Sequence, residues 1–246
     1  MSLTTPISTQ KPKKYGILIV CEDTNSNFQY IDAKKQDCAP NAVEVDFALK
    51  NSIDAKGTQA HIIANYGVAE IQRKNNNFKN DNPTEPDFYK ELYCVIDVDD
   101  NDTTSTRGSS ISLLQQAYNS IDTANTANNK VNHQLIVSNE CFEIWYILHF
   151  MDITIPLYRG TSPQIAQGLM ADDNKIAEAL NNYTKIGKNS QKTYRHFFTK
   201  MKEGSEQKAI ERAKSLENKS TNTKPFDNPS TEIYKLVERL NKFKTL

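Results

Sequence analysis

YGILIVC at residues 15–21 runs directly into Glu22-Asp23-Thr24-Asn25-Ser26-Asn27, and this junction decides the fold. The run is of strand length and carries no charged or amide side chain. A strand with one wet face alternates, whereas one covered on both faces is apolar throughout. Residues 15–21 therefore read as a central parallel strand with a polar loop at its carboxyl end. LYCVI at 92–96 repeats the arrangement and runs into Asp97-Val98-Asp99-Asp100, and residues 134–137 form another short apolar strand.

Outward from these runs the spacing changes. A short helix is expected over Ser26–Lys35. Residues 42–50 (AVEVDFALK) alternate, with Val43, Val45, Phe47 and Leu49 on one face, which predicts a half-buried strand. Helical spacing follows over 58–74, where Ile62, Ile63, Tyr66, Ala69 and Ile71 recur, and over 110–126, where Ile111, Leu114, Ala117 and Ile121 share a stripe. The Asn-rich stretch 75–82 with Pro83 and Pro86 reads as a loop. Ser138-Asn139 reads as a cap for an apolar helix over 140–151. Strands alternating with helices give an α/β fold with a mainly parallel sheet flanked by helices.

From Asp152 no strand pattern is visible. Helices are expected over 172–183, 191–201, 206–217 and 230–242, the last capped by Ser230 after Pro229. The organisation is a flexible polar arm (1–13), an α/β core (14–151) and a C-terminal helical extension packed on it (152–246).

Charge is balanced, with 30 Lys+Arg and 30 Asp+Glu in 246 residues, so no global attraction to nucleic acid or membrane arises. Locally, acidic residues cluster at 97–102 and lysines dominate 185–224. No apolar run approaches the roughly 20 residues of a membrane span, and no signal-peptide layout opens the chain. The four cysteines, Cys21, Cys38, Cys94 and Cys141, form no C-x-x-C pair, which argues against zinc and for a reduced cytoplasmic protein.

Chemistry concentrates at strand ends. Glu22 stands at the carboxyl end of a central strand, where ligands collect in open α/β sheets. Asp97-x-Asp99 ends another buried strand, and residues two apart in extended chain point the same way. Converging carboxylates suit Mg²⁺ or Mn²⁺, although an Asp-x-Asp in a loop is also an ordinary solvated turn. Glu143 and His149 are the polar members of an otherwise apolar helix. Glu143 would also simply complement a helix amino terminus, and His149 would also serve as a core histidine. Lys185, Lys188, Lys192, Arg195 and His196, interleaved with Tyr183, Tyr194, Phe197 and Phe198, would track a phosphate backbone or lie as lysines in solvent over core aromatics.

Taken together, the strand-Cys21-Glu22 turn, the strand-DVDD turn, SNECFEIWYILHF at 138–150 and DNPSTEIYKLVERL at 227–240 resemble the RloB family, in order and spacing, from about Tyr15 onward. The resemblance implies a Toprim-like fold, in which a Glu after the first strand and an Asp-x-Asp after a later one hold divalent metal for phosphoryl-transfer chemistry. Carried over, Glu22, Asp97 and Asp99 take these catalytic and metal-binding roles, with Asp100 joining the metal shell. Asn27, Asn139, Glu143 and His149 are candidates to support it, and Lys185, Lys188, Lys192 and Arg195 to bind nucleic acid. The chain departs from the family turn at Asp23, where a Gly is usual, and at Asn27, where a Glu is usual. Glu140 replaces a Pro. Asn27 keeps a carbonyl oxygen but loses the charge, which bears on a second metal.

The resemblance also implies a bacterial phage-defence setting, abortive infection or restriction-associated, and an AAA-type ATPase partner. This chain has no G-x-x-x-x-G-K-[ST] loop of its own. Three readings follow. The first is a metal-dependent nuclease or nuclease-like effector acting on DNA or RNA. The second is a catalytically degenerate interaction subunit of the ATPase. The third is a nucleotide phosphohydrolase. Oligomeric state stays open.

Overall fold

A computed structural model describes residues 14–22, 26–49, 59–98, 107–139, 141–154, 205–219 and 228–244. Among them the elements run β1 (Tyr15–Cys21), α1 (Ser26–Lys35), β2 (Val43–Leu49), α2 (Ala60–Asp81), β3 (Tyr89–Asp97), α3 (Arg107–Ala127), β4 (Asn132–Asn139), α4 (Glu143–Leu148), α5 (Glu206–Lys219), β5 (Ser230–Thr231) and α6 (Ile233–Asn241). The strands form one five-stranded sheet in the order β2-β1-β3-β4-β5. The first four are parallel and β5 is antiparallel to β4. The mainly parallel α/β sheet flanked by helices is thus the architecture the apolar runs predict.

Those runs are apolar because both faces are covered. Ile17, Ile19, Cys21, Tyr93, Val95 and Ile136 pack in one layer with residues of α1, α4, α5 and α6. Leu18, Val20, Leu92, Cys94, Ile96 and Val137 alternate into the opposite layer, against α2 and α3. Contact there is close: a Cβ on Gly67 would stand 2.6 Å from Cys94 Sγ. All four cysteines are buried and outside any disulfide.

Several boundaries differ from the sequence expectation, for tertiary reasons. The Asn-rich stretch is helical as far as Asp81 rather than a loop. Asn75 turns inward, donates to the Tyr89 carbonyl at 3.0 Å and accepts the Tyr89 N–H at 2.8 Å, while Phe78 packs on Phe88 at 5.2 Å. These contacts override weak helix propensity. Asn125 of α3 treats the His133 backbone the same way, at 2.9 and 2.8 Å, and β4 accordingly starts at Asn132. Helix α4 is shorter than expected, because Asn139 remains in the strand and does not cap it.

The C-terminal segment is not strandless: Ser230 and Thr231 pair with Asn139 and Ser138. Ser230 therefore does not cap the last helix, which starts at Ile233 after the N-cap residue Glu232. A two-residue strand carries no periodicity and is defined only by the β4 edge it covers. The expected helices at 172–183 and 191–201 and the arm at 1–13 lie outside the described residues.

Ion pairs fasten the later helices to the sheet and to α1. Glu91 of β3 is buried, and Arg239 of α6 donates to both its carboxylate oxygens at 2.8 and 3.0 Å. Tyr15 and Tyr93 donate to the same carboxylate at 2.7 and 2.8 Å. Burial opposes its ionisation, but these donors outweigh it and hold Glu91 below the usual carboxylate range. Lys34 of α1, 2% exposed, donates to Glu206 Oε2 at 2.6 Å, and Asn241 donates to Oε1 at 2.9 Å. Burial pulls the Lys34 ammonium below its ordinary value despite this partner. A polar cleft of about 460 Å³, lined by Asn76, Lys79, Asp87, Lys130 and His133 among others, opens near the amino ends of β3 and β4.

Candidate functional site

The strand order places a topological switch between β1 and β3. The chain leaves β1 toward β2 on one side and returns to β3 on the other. Helix α1 covers one face, while α2 and α3 cover the opposite face. At such a switch the loops beyond the carboxyl ends diverge and open a crevice. Glu22 directly follows β1 and Asp97 ends β3.

Their geometry is specific. Cys21 pairs with Val95, and the Glu22 N–H extends the ladder by donating to the Val95 carbonyl at 3.0 Å. The Glu22 carboxylate then accepts the Asp97 N–H through Oε2 at 2.9 Å. Asp97 is in register with Ser138 of β4, and Ser138 with Thr231 of β5. Ser138 and Thr231 are 1% and 2% exposed, and their hydroxyl oxygens are 2.8 Å apart. Beyond the strand, the Val98 N–H donates to the Ser138 carbonyl at 2.8 Å.

Glu232 fixes β5 in place. Its N–H donates to the Val137 carbonyl at 2.9 Å, and its carboxylate accepts the Val137 N–H at 3.2 Å and the Tyr118 hydroxyl at 3.3 Å. Lys235 completes the set by donating to the same carboxylate. Tyr118 is correspondingly held well above its ordinary value, by burial first and by Glu232 second.

Asn27, second residue of α1, is 1% exposed, and among the described residues its Oδ1 has no hydrogen-bond partner. A buried carbonyl oxygen without a donor is rare and suits a cation or a ligand. Asn139 ends β4 opposite Ser230, and Glu143 opens α4 with 8% exposure. His149 stands apart from these residues in chemistry. Its ring is 5.0 Å from Trp145 and 6.5 Å from Tyr30, and Nδ1 meets the Trp145 carbonyl at 2.9 Å. Burial drives this imidazole down to about 4, so it is neutral at physiological pH.

Two carboxylates and the Asn27 carbonyl are hard oxygen donors of the type Mg²⁺ and Mn²⁺ prefer. Among the described residues no three His, Cys, Asp or Glu side chains are grouped to hold a metal. Asp99 and Asp100 lie outside the described residues, as do Lys185, Lys188, Lys192 and Arg195. Residue-by-residue reading brings Glu22 and Asp97 to one edge but misses the hydroxyls of Ser138 and Thr231. Their signal was the DNPST stretch, whose Ser230 reads as a cap when only the helix is considered.

No curated protein and no solved structure matches this chain. The family model described as RloB-like protein matches residues 17–240, nearly the whole sequence, and the chain belongs to that family.

Proposed function

We propose that the protein is a divalent-metal-dependent nuclease, or nuclease-like effector, of a phage-defence system, with a Toprim-like acidic site that hydrolyses phosphodiesters. The observation that carries this reading is the meeting of Glu22 and Asp97 at the β1/β3 switch point. Glu22, Asp97 and Asp99 would hold Mg²⁺ or Mn²⁺, with Asp100 joining them. The bound ion would supply charge neutralisation at the phosphate and a more acidic water. Glu22 has a second role, since its hydrogen bond to the Asp97 N–H fixes the backbone from which the Asp97 carboxylate extends. Asn27 offers a neutral oxygen where family members carry a carboxylate. Lys185, Lys188, Lys192 and Arg195 would bind the DNA or RNA backbone. ATP hydrolysis would fall to an AAA-type partner, and the setting would be cytoplasmic. No helix among the described residues is long and apolar enough to cross a membrane.

The neutral Asn27 favours a second reading, a catalytically degenerate subunit that docks on the ATPase. One experiment separates the two. Purified protein is incubated with supercoiled DNA, single-stranded DNA and RNA, with Mg²⁺ or Mn²⁺. Cleavage that disappears in the Asp97→Ala, Asp99→Ala double variant is the expected result. Cleavage that survives it sinks the nuclease assignment to this site. No cleavage and no millimolar Mn²⁺ binding, with tight binding to the ATPase, establishes the docking reading instead.

A further inference from the structure

The polar cleft of about 460 Å³ lies at the end of the sheet opposite the acidic edge. Asp87, two residues before β3 begins, lines it, and Asp97 ends the same strand. At about 3.3 Å per residue the length of β3 separates the two places by roughly 26 Å. The volume falls within the range of small-molecule sites, about 300–1,000 Å³. Ile71, Val131 and His133 are buried members of its lining, at 1%, 3% and 3% exposure, and Lys79 and Lys130 are its cations.

Asn125 sets the chemistry of His133. Its Nδ2 donates to the His133 carbonyl at 2.9 Å, which fixes the way the amide faces. Its Oδ1 accepts the His133 N–H at 2.8 Å and lies 3.0 Å from the imidazole Nδ1. An amide oxygen only accepts, so Nδ1 carries the ring proton and Nε2 keeps a bare lone pair. Burial holds this imidazole below its ordinary value, and the Val131 carbonyl opposes that only in part, so the ring is neutral near pH 7. Nε2 meets no donor among the described residues and is not sealed into the interior. A ligand that displaces water from it must bring a donor of its own. Charge is the second constraint. Lys79 Nζ is 2.6 Å from Asp87 Oδ1, so these two cancel. Lys130 is exposed and has no carboxylate partner among the described residues, which leaves the lining with one positive charge.

We propose that this cleft binds a nucleoside monophosphate with an amino-bearing base, the base amine donating to His133 Nε2, the ring lying against Ile71 and Val131, and the phosphate facing Lys130. The lining asks for three properties in one molecule: an N–H donor, an apolar face and an anion. An amino-bearing nucleobase joined to a phosphate has all three. A sugar phosphate lacks the apolar face, and an inorganic anion lacks that face and the N–H. The strand length between the cleft and the acidic edge makes this ligand an effector rather than the substrate of that edge. The site stands whether or not the acidic edge holds a metal.

The test uses the full chain in EDTA, so that no metal-bound phosphate at the acidic edge contributes. Adenosine 5′-monophosphate is titrated by calorimetry, and the His133 ring nitrogens are followed by ¹⁵N NMR. Free protein should show the Nδ1–H tautomer, and the nucleotide should move the Nε2 resonance toward that of a hydrogen-bonded nitrogen. Purine riboside 5′-monophosphate has the same shape but no amine, and should bind at least about tenfold more weakly. Lys130→Gln, in an exposed turn where folding is not at stake, should weaken the nucleotide by about two- to fivefold and leave adenosine unchanged. No binding at millimolar nucleotide, a proton on Nε2 in the free protein, or an unmoved Nε2 resonance overturns the proposal. Equal affinity for the two nucleotides overturns it as well, and so does a nucleotide affinity that Lys130→Gln does not change.

Discussion

The Glu22 carboxylate accepts the backbone N–H of Asp97 at 2.9 Å, so a side chain on one strand sets the backbone of the next where the metal reading needs precision. Glu22 is a structural acceptor and a candidate ligand at once, and two substitutions separate these roles. Glu22→Gln retains a carbonyl oxygen for the Asp97 N–H but loses the charge. Its thermal midpoint should stay close to wild type while Mn²⁺ affinity falls at least tenfold, roughly 1.4 kcal/mol. Glu22→Ala should lose the affinity and, in addition, about 1–2 kcal/mol of stability, since a half-buried N–H is left unmatched. Equal stability of the two variants would show that the hydrogen bond carries no weight.

Acid should weaken the fold in two steps, and His149 sets the first. Its imidazole, at about 4 in the folded chain, is near 6.5 when unfolded. Below pH 6.5 the unfolded chain takes up a proton that the folded chain refuses until about pH 4, so stability falls as pH falls through this window. The difference between the two values corresponds to about 3 kcal/mol at its lower end. Glu91 and Glu206 act lower. Their folded values lie below the ordinary carboxylate range, so their contribution is complete above it and is lost as pH falls through their depressed values. Urea unfolding of wild type and His149→Phe between about pH 7 and 4.5 checks the first step. The variant curve should be flatter there, whatever its stability at neutral pH.

Gly67 tests the closeness of α2 to β3. Gly67→Ala brings a Cβ to 2.6 Å from Cys94 Sγ and 3.3 Å from Leu92. The expected cost is about 1–3 kcal/mol by overpacking. Adding Cys94→Ala removes the sulfur and should recover part of it, so a double-mutant cycle by chemical denaturation should give a coupling energy clearly different from zero. Simple additivity would show that the helix yields rather than the sulfur.

Residue pattern reveals what is local here and hides what is made by partners. The runs at 15–21 and 92–96 are legible because two covered faces leave no polar position. Strand β3 nevertheless extends back through Lys90 and Glu91 to Tyr89. Glu91 looks like a loop residue until Arg239, 148 positions later, supplies its counter-charge. Asn75 reads as the start of a loop and Asn125 as one more residue of a helix, yet each extends the sheet by binding a strand backbone. Glu22 and Asp97 were legible as strand-end carboxylates. The hydroxyl row beside them was not, because Ser138 and Thr231 become neighbours only through a strand too short to show a period.

The partnership of β1 with α6 also sets a timetable. Ile17, Ile19 and Cys21 share one buried layer with Leu236, Val237 and Leu240, and the Phe243 carbonyl accepts the Ala39 N–H at 2.7 Å. A ribosome working at about 5–20 residues per second separates the synthesis of these partners by roughly ten to forty seconds. During that interval the emerging chain has Glu22 and Asp97 but neither β5 nor the helix that seals the layer. A chain still in translation therefore holds both carboxylates, and the two strands that carry them, before the residues that cover one face of those strands and the β4 edge have been made.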